Sequence, residues 1–221
     1  MARLHLEIPG LNIMETDAHT TTQHRFDIRE WLWPSLVVGV FLLALGIRVL
    51  KAISFEFLID PDIGIVQNMV KHMLEGRDFP VFFYGQPYMG SLEPILSSLL
   101  CCFFGTTSLV VALGTTLFGV LSLPLIYLWG CSAGGKRAGL LAMIYCSVGS
   151  YSFFVFSVVP RGGYMTMLVF GLLTLWLALH ISRLLSEGRK VSSLKYIAMG
   201  LAAGLGWWSN QLVIPFLATS A

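Results

Sequence analysis

Charged side chains are scarce in this chain of 221 residues: they make up 12% of it, whereas 56% of the residues are hydrophobic. Soluble domains carry about 25% charged residues, and a soluble fold of this composition would expose large apolar patches. The few charges also leave nearly charge-free stretches of about 20 residues, which is enough to cross ~30 Å of hydrocarbon. The composition therefore predicts an all-α integral membrane protein.

Two further patterns are missing from the sequence. No run of Lys and Arg is interleaved with aromatic residues, so no nucleic-acid partner is predicted. The four cysteines do not form a disulfide framework, because Cys101 and Cys102 are adjacent and Cys131 and Cys146 belong to apolar segments. No paired-cysteine spacing indicates a metal site.

A cleavable signal peptide is not predicted either. The thirty residues before the first apolar run are mostly polar and far longer than a charged leader segment. We therefore expect residues 1–30 to form a polar cytoplasmic segment and the first apolar run to remain as an anchor. At the far end of that run, Arg48 and Lys51 are expected to extend toward the lipid headgroups.

The apolar runs set the predicted topology. Spanning helices are predicted at about 31–53, 108–129, 138–159, 164–184 and 196–218. A shorter run, 90–105, contains Glu93 and Pro94. If it does not cross, the Lys136–Arg137 loop and the basic loop before 196 both fall on the cytoplasmic side with the N-terminus, as the positive-inside rule favours. We therefore predict about five spanning helices, with 90–105 as a re-entrant or interfacial helix at the outer face.

A separate amphipathic helix is predicted in the outer loop, which covers about 54–93. The apolar residues from Ile65 to Leu74 recur at helical spacing. Asp62 is placed to cap the N-terminus of this helix, and Gly76 is placed to end it. The pattern predicts a helix that lies on the membrane surface.

Polar residues that could carry chemistry occur in four short segments, 59–62, 84–93, 160–164 and 207–211. The predicted topology brings the first three to the outer face. A carboxylate there can act as a general base on a hydroxyl, and an arginine can hold a phosphate. The candidate site residues are Asp60, Asp62, Gln86, Tyr88, Glu93 and Arg161.

Structural roles for the same residues stay open. Asp62 could only cap its helix, Asp60 could be a turn residue before proline, and Arg161 could contact lipid headgroups. Asn210 and Gln211 could either bond to a neighbouring helix or face a cavity. No metal site is predicted, although Asp60, Asp62 and Glu93 could share a divalent cation with a phosphate.

The segment 74–93, read as LEGRDFPVFFYGQPYMGSLE, resembles polytopic glycosyltransferases of the GT-C superfamily. The similarity is to the members related to protein O-mannosyltransferases and to bacterial lipopolysaccharide sugar transferases. The segments 160–164 (PRGGY) and 204–208 (GLGWW) add to it. The resemblance covers residues from about 59 onward. Together with the first predicted span, we therefore expect residues 31–221 to correspond to the N-terminal portion of such a membrane domain.

The resemblance implies a reaction and its partners. Such enzymes take a hexose from a polyprenyl-phosphate carrier and pass it to a glycan, lipid or protein acceptor on the outer face of the membrane, here a bacterial inner membrane. It implies that Asp62 is the general base and that Glu93 supplies a second acid. Asp60, Gln86, Tyr88 and Arg161 would bind substrate.

The chain departs from the family at one position beside the proposed base. Ile63 stands where these enzymes usually have glutamate. This keeps open a second hypothesis, a non-catalytic protein that binds a polyprenyl-phosphate lipid or acts as a scaffold. A small transporter is a weaker third hypothesis, since ionisable residues are almost absent from the predicted spans.

Overall fold

A computed structural model of the protein describes residues 28–54 and 60–220. Most of these residues are helical, and three helical stretches are long and apolar enough to cross a membrane: Leu32–Ser54, Ser108–Val148 and Tyr164–Ser186. The predicted class, an all-α membrane protein, is consistent with this architecture. Residues 1–27 of the predicted cytoplasmic segment lie outside the described residues.

The helices are α1 (Ile28–Ser54), α2 (Pro61–Leu74), α3 (Leu92–Phe104), α4 (Ser108–Ile144), α5 (Tyr151–Phe156), α6 (Tyr164–Ser186), α7 (Ser193–Ser209) and α8 (Ile214–Ser220). A two-stranded hairpin, β1 (Phe82–Phe83) and β2 (Gln86–Gly90), precedes α3. A π-helical turn, Tyr145–Gly149, joins α4 to α5, and a 3₁₀ turn, Gln211–Val213, joins α7 to α8.

Helix α4 is a tight helical hairpin. Its backbone leaves helical geometry at Gly134 and at Gly135, whose φ of +77° is left-handed. A β-carbon on Gly130 would lie 2.6 Å from the Cα of Gly139, and a β-carbon on Gly119 would overlap Ser157. These contacts make residues 108–133 antiparallel to residues 136–158. The two predicted runs in this region are therefore separate helical arms, and small residues let the arms approach closely.

Helix α1 packs on this hairpin and corrects one prediction. Arg48 does not extend toward headgroups: its side chain is completely buried. The guanidinium donates to the carbonyls of Cys146 (3.0 Å) and Ser147 (3.4 Å) and to the Ser157 hydroxyl (3.0 Å). The π-helical turn interrupts the regular helical bonding pattern, so its carbonyls are available to an outside donor. Arg48 thus fastens α1 to the second arm of the hairpin.

Helix α2 forms where the apolar spacing predicts it, but its caps and its environment differ. Asp60, not Asp62, is the N-cap, and its Oδ1 accepts the Asp62 N–H at 2.9 Å. Gly76 does end the helix, with φ +66° and with hydrogen bonds from its own N–H and that of Arg77 to Met73 and His72. The apolar face packs against α3, α4 and the hairpin, so protein covers it rather than a membrane surface.

Helix α3 has 13 residues and is about 20 Å long, which is too short to cross ~30 Å of hydrocarbon. It runs antiparallel to the start of α4. Glu93 lies beside Thr115, and Ser97 donates to the carbonyl of Val111 at 2.9 Å. The loop before α3, predicted only as a polar segment, folds into the β-hairpin, whose turn at Gly85 has a φ of +75°.

The last predicted span, 196–218, is not a continuous helix. Asn210 is extended (φ −167°, ψ 135°) and separates α7 from the 3₁₀ turn. A β-carbon on Gly163 would overlap the backbone of Ser209, whereas one on Gly171 would lie 2.7 Å from the Phe216 ring. Helix α7 therefore packs antiparallel to α6. The chain reverses direction at Asn210, and α8 packs beside the first half of α6 in the same direction as α6.

Candidate functional site

The four polar segments singled out in the sequence meet at one end of the helical bundle. Met89 of β2 forms an isolated antiparallel bridge with Asn210 at the break after α7. The glycines between α5 and α6 leave no room for a side chain, because other segments approach their backbone closely. A β-carbon on Gly162 would lie 2.8 Å from the Met89 side chain, and one on Gly163 would overlap Ser209. The Gly162–Gly163 pair is thus the place where hairpin, α6 and α7 come together.

Asp60 and Arg161 form an ion pair across this junction. Arg161 Nη2 lies 2.7 Å from Asp60 Oδ2, and both side chains are largely buried. Asp60 uses its other oxygen to cap α2, so one carboxylate connects the start of α2 to the loop before α6. The Arg161 guanidinium also lies 5.3 Å from the centre of the Phe156 ring. Two predicted substrate-binding residues are therefore paired with each other.

Glu93 is completely buried beneath the same loop. Its Oε1 accepts a hydrogen bond from the Thr115 hydroxyl. Burial raises the pKa of the Glu93 carboxyl to about 8, and the Thr115 hydroxyl and the backbone N–H of Arg161 oppose this rise only in part. Helix α3 lies outside the three candidate spans. The carboxyl is therefore mostly protonated at neutral pH, and in this conformation it has no surface that a substrate could touch.

Two buried side-chain polar atoms have no hydrogen-bond partner among the described residues, and both belong to this cluster. They are Glu93 Oε2 and Arg161 Nε. Orphaned buried polar atoms are rare in folded proteins and commonly mark places where water, an ion or a ligand completes the bonding. We therefore define the junction cluster as Asp60, Glu93, Thr115 and Arg161.

Asp62 lies in the first turn of α2, two residues after Asp60 of the junction cluster. Its side chain is half-buried, and its carboxylate makes no hydrogen bond or ion pair with residues 28–54 or 60–220. Unlike Asp60, Asp62 has no partner for either carboxylate oxygen among the described residues.

Gln86 and Tyr88 lie on the hairpin, away from the ion pair. The Tyr88 hydroxyl donates to Gln86 Oε1 at 2.9 Å, and Tyr88 is 49% exposed. They are therefore bonded to each other, and not to the junction cluster. Tyr84, at the hairpin turn, is bonded instead to His72 of α2 (2.9 Å) and to Asp78 (3.0 Å), which fixes the turn against α2.

Trp208, which belongs to the segment 204–208 quoted above, connects α7 to the hairpin. Its Nε1 donates to the carbonyl of Val81 at 3.0 Å, and a β-carbon on Gly90 would lie 2.6 Å from its backbone oxygen. Ser91 closes the hairpin from the other side by donating to Val81 at 3.1 Å. In the sequence, the glycines at 90, 162 and 163 could have indicated this close contact between the hairpin and α7, because close backbone approach requires glycine.

The described part of the chain contains no shared cation site. Among the described residues, no three His, Cys, Asp or Glu side chains lie close enough together to hold a metal ion. Asp60, Asp62 and Glu93 therefore do not form the cation site that their sequence positions left open.

Comparison with protein-family models, with curated proteins and with solved structures gives no match to this chain. The resemblance to GT-C glycosyltransferases therefore stays a prediction that rests on the residues quoted for it.

Proposed function

We propose that this chain carries the acceptor-activating side of a membrane glycosyltransferase that moves a hexose from a polyprenyl phosphate to a hydroxyl on the outer face. The observation that carries the proposal is a pair of unlike carboxylates beside a partly buried arginine. Asp60 is neutralised by Arg161 at 2.7 Å, whereas Asp62 has no such partner among the described residues. Unequal environments of this kind separate a structural carboxylate from a reactive one.

The orientation that we propose follows from the two ends of the bundle. Trp33 near the start of α1 donates to Tyr127, and Arg183 at the end of α6 donates to the Ser132 carbonyl. The start of α1, the turn of α4 and the end of α6 therefore share one end. That end carries the basic residues Lys136, Arg137, Arg183, Arg189 and Lys190. The positive-inside rule favours the cytoplasm for it, which leaves the junction cluster on the outer side.

The proposed topology has five crossings: α1, the two arms of the α4–α5 hairpin, α6 and α7. Helices α3 and α8 do not cross in this arrangement, because α3 is too short and α8 returns along α6. Irregular backbone such as that at Asn210 is tolerated at membrane depth only where protein or a water-filled cavity surrounds it. The buried position of Asn210, at 2% exposure, meets that condition.

In the proposed reaction, the Asp62 carboxylate takes the proton of the acceptor hydroxyl. The acceptor oxygen then forms the new bond to the anomeric carbon, and the bond from that carbon to the phosphate oxygen breaks. The leaving group is the polyprenyl phosphate, which keeps the bonding electrons as negative charge. Arg161 would stabilise this charge through the nitrogens that do not bind Asp60.

The remaining predicted residues take supporting roles in this proposal. Gln86 and Tyr88 would contact the sugar or the acceptor, since both side chains are accessible on the hairpin. Glu93 would act as a positioning residue, because its buried carboxyl joins α3 to α4 and lies beneath Arg161. It would hold the arginine loop in place without touching substrate.

The test is transfer of a radiolabelled hexose from a polyprenyl-phosphate donor in membranes that contain the chain. Asp62→Asn should lower the transfer rate by 10²-fold or more, as loss of a general base does. Asp78→Asn removes an exposed carboxylate of the same loop and serves as the matched control. Transfer that survives Asp62→Asn at the wild-type rate would remove Asp62 from the mechanism.

A second candidate function, binding of a polyprenyl-phosphate lipid without turnover, is favoured by Ile63. This residue is buried in the apolar face of α2, where the family has an acid. Under this alternative, the chain binds the lipid-linked sugar in the same assay but releases no transferred product. Binding that requires Arg161 but not Asp62 would favour it over catalysis.

A further inference from the structure

A polar cleft lies at the C-terminal half of α2, away from the junction cluster, between that helix and the turn from α3 to α4. Its volume is about 490 Å³, which lies within the range of small-molecule sites. Lys71 lies nine residues after Asp62, about 14 Å farther along the helix. The cleft is therefore separate from the junction cluster and has no part in the proposed transfer reaction.

The walls of the cleft come from two elements that are bonded to each other. Gln67 Nε2 on α2 donates to the Ser108 hydroxyl at the start of α4, at 3.1 Å. Thr106 and Thr107 continue the second wall with two further hydroxyls. A rim of one amide and three hydroxyls offers both donors and acceptors, which is the chemistry that binds the hydroxyl groups of a sugar.

The floor and the charge of the cleft restrict the ligand further. Val70, Leu74 and Val111 form an aliphatic floor, against which the C–H face of a sugar ring can pack. Glu75 at the rim is bonded to Arg77 at 2.9 Å, so its charge is compensated. Lys71 makes no hydrogen bond or ion pair within the described part of the chain. One uncompensated cation above a neutral polar rim favours a ligand with a single anionic group.

We propose that this cleft binds an anionic saccharide, a molecule that combines several hydroxyl groups with one phosphate or carboxylate. Lys71 binds the anionic group, Thr106 and Gln67 bind hydroxyls, and the valine and leucine side chains contact the ring. The site is independent of the proposed transfer activity, so either can fail without the other.

Glucose 6-phosphate is a suitable probe, and the rate of Lys71 acylation by an amine-reactive reagent is a site-specific readout. The full chain in detergent micelles is treated with the reagent, and modified peptides are quantified by mass spectrometry. At a probe concentration about ten times the dissociation constant, acylation of Lys71 should slow roughly tenfold. Lys136, at the other end of the bundle, should react at an unchanged rate and is the internal control.

Two comparisons make the test specific. Inorganic phosphate and glucose, each alone at the same concentration, should protect Lys71 only weakly. Thr106→Val, which removes one hydroxyl and keeps the side-chain shape, should weaken protection by glucose 6-phosphate about fivefold. Equal protection by inorganic phosphate, absence of protection, or protection unchanged in Thr106→Val would each overturn the proposal. Asp62→Asn should leave protection intact, which separates this site from the proposed reaction.

Discussion

The buried carboxyl of Glu93 makes the stability of this protein depend on pH in a direction opposite to that of most carboxylates. In the unfolded chain its pKa has the ordinary value of 4.5, and in the folded chain it is about 8. The folded state therefore holds this proton over a pH range in which the unfolded state has released it. The resulting stabilisation is complete below pH 4.5 and is lost as the pH rises through about 8.

The size of the effect follows from those two pKa values. Between pH 6 and pH 9, the free energy of unfolding should fall by about 3 kcal/mol on account of this group alone. The glutamine side chain in Glu93→Gln keeps an oxygen that can accept a hydrogen bond from the Thr115 hydroxyl. Unlike the carboxyl group, the amide does not ionise. Because the glutamine cannot ionise, the stability of the variant relative to wild type should rise by about 3 kcal/mol between pH 6 and pH 9.

The measurement is the apparent melting temperature in detergent micelles, followed by tryptophan fluorescence at pH 6 and pH 9. The quantity of interest is the difference between wild type and Glu93→Gln at each pH, because pH-dependent effects shared by the two proteins cancel. Glu75→Gln, which alters a solvent-accessible carboxylate just after α2, controls for the loss of any carboxylate. A wild-type curve parallel to that of Glu93→Gln across this range would refute a buried, protonated Glu93.

Three further predictions concern contacts that hold the fold together. Arg48→Met should lower the free energy of unfolding by about 3 kcal/mol, because the Ser157 hydroxyl and the carbonyls of Cys146 and Ser147 lose the guanidinium donor. A melting temperature equal to wild type would contradict this. Gly163→Ala should prevent α6 from packing against α7, because its β-carbon would overlap Ser209; Gly200→Ala, whose β-carbon meets open space, is the control. The two variants are compared by the fraction of protein that elutes as a monodisperse peak in size-exclusion chromatography. Equal fractions would be evidence against the contact. Trp208→Phe removes the bond to the hairpin and should cost about 1 kcal/mol, measured as faster amide exchange in β1; unchanged exchange would argue that this bond does not hold the strand.

The sequence predicted features that depend on local spacing. Apolar runs located the helices α1, α4 and α6, and the apolar period together with Gly76 located α2 and its end. These features arise from neighbours within a few residues, so a pattern can reveal them. The convergence of the first three polar segments was also predictable, because charge placement assigns loops to one face.

The features that were missed depend on contacts between distant parts of the chain. A lone Arg48 near a helix end is usually interfacial, and only its packing against the π-helical turn, 98 and 99 residues later, buries it. The break at Asn210 depends on a bridge to Met89. The apolar run across it carries no charge, and its one proline, Pro215, lies beyond the break, within α8. The sequence pattern assigned the cap of α2 to Asp62 and a turn to Asp60, because the partner of Asp60, Arg161, lies 101 residues away.

The burial of Arg48 has a consequence for how this protein is made. Placing an arginine in the hydrocarbon core costs on the order of 3 kcal/mol when no partner is present. The carbonyls and the hydroxyl that bind its guanidinium are synthesised about 100 residues after it. During synthesis, α1 therefore reaches the membrane before the segment that compensates its charge exists. We expect α1 to remain beside the insertion machinery, or to sit shallowly in the bilayer, until residues 136–157 emerge and pair with it. Crosslinking of α1 to the translocon in nascent chains truncated before and after this segment would report the delay as a loss of crosslinks in the longer chains.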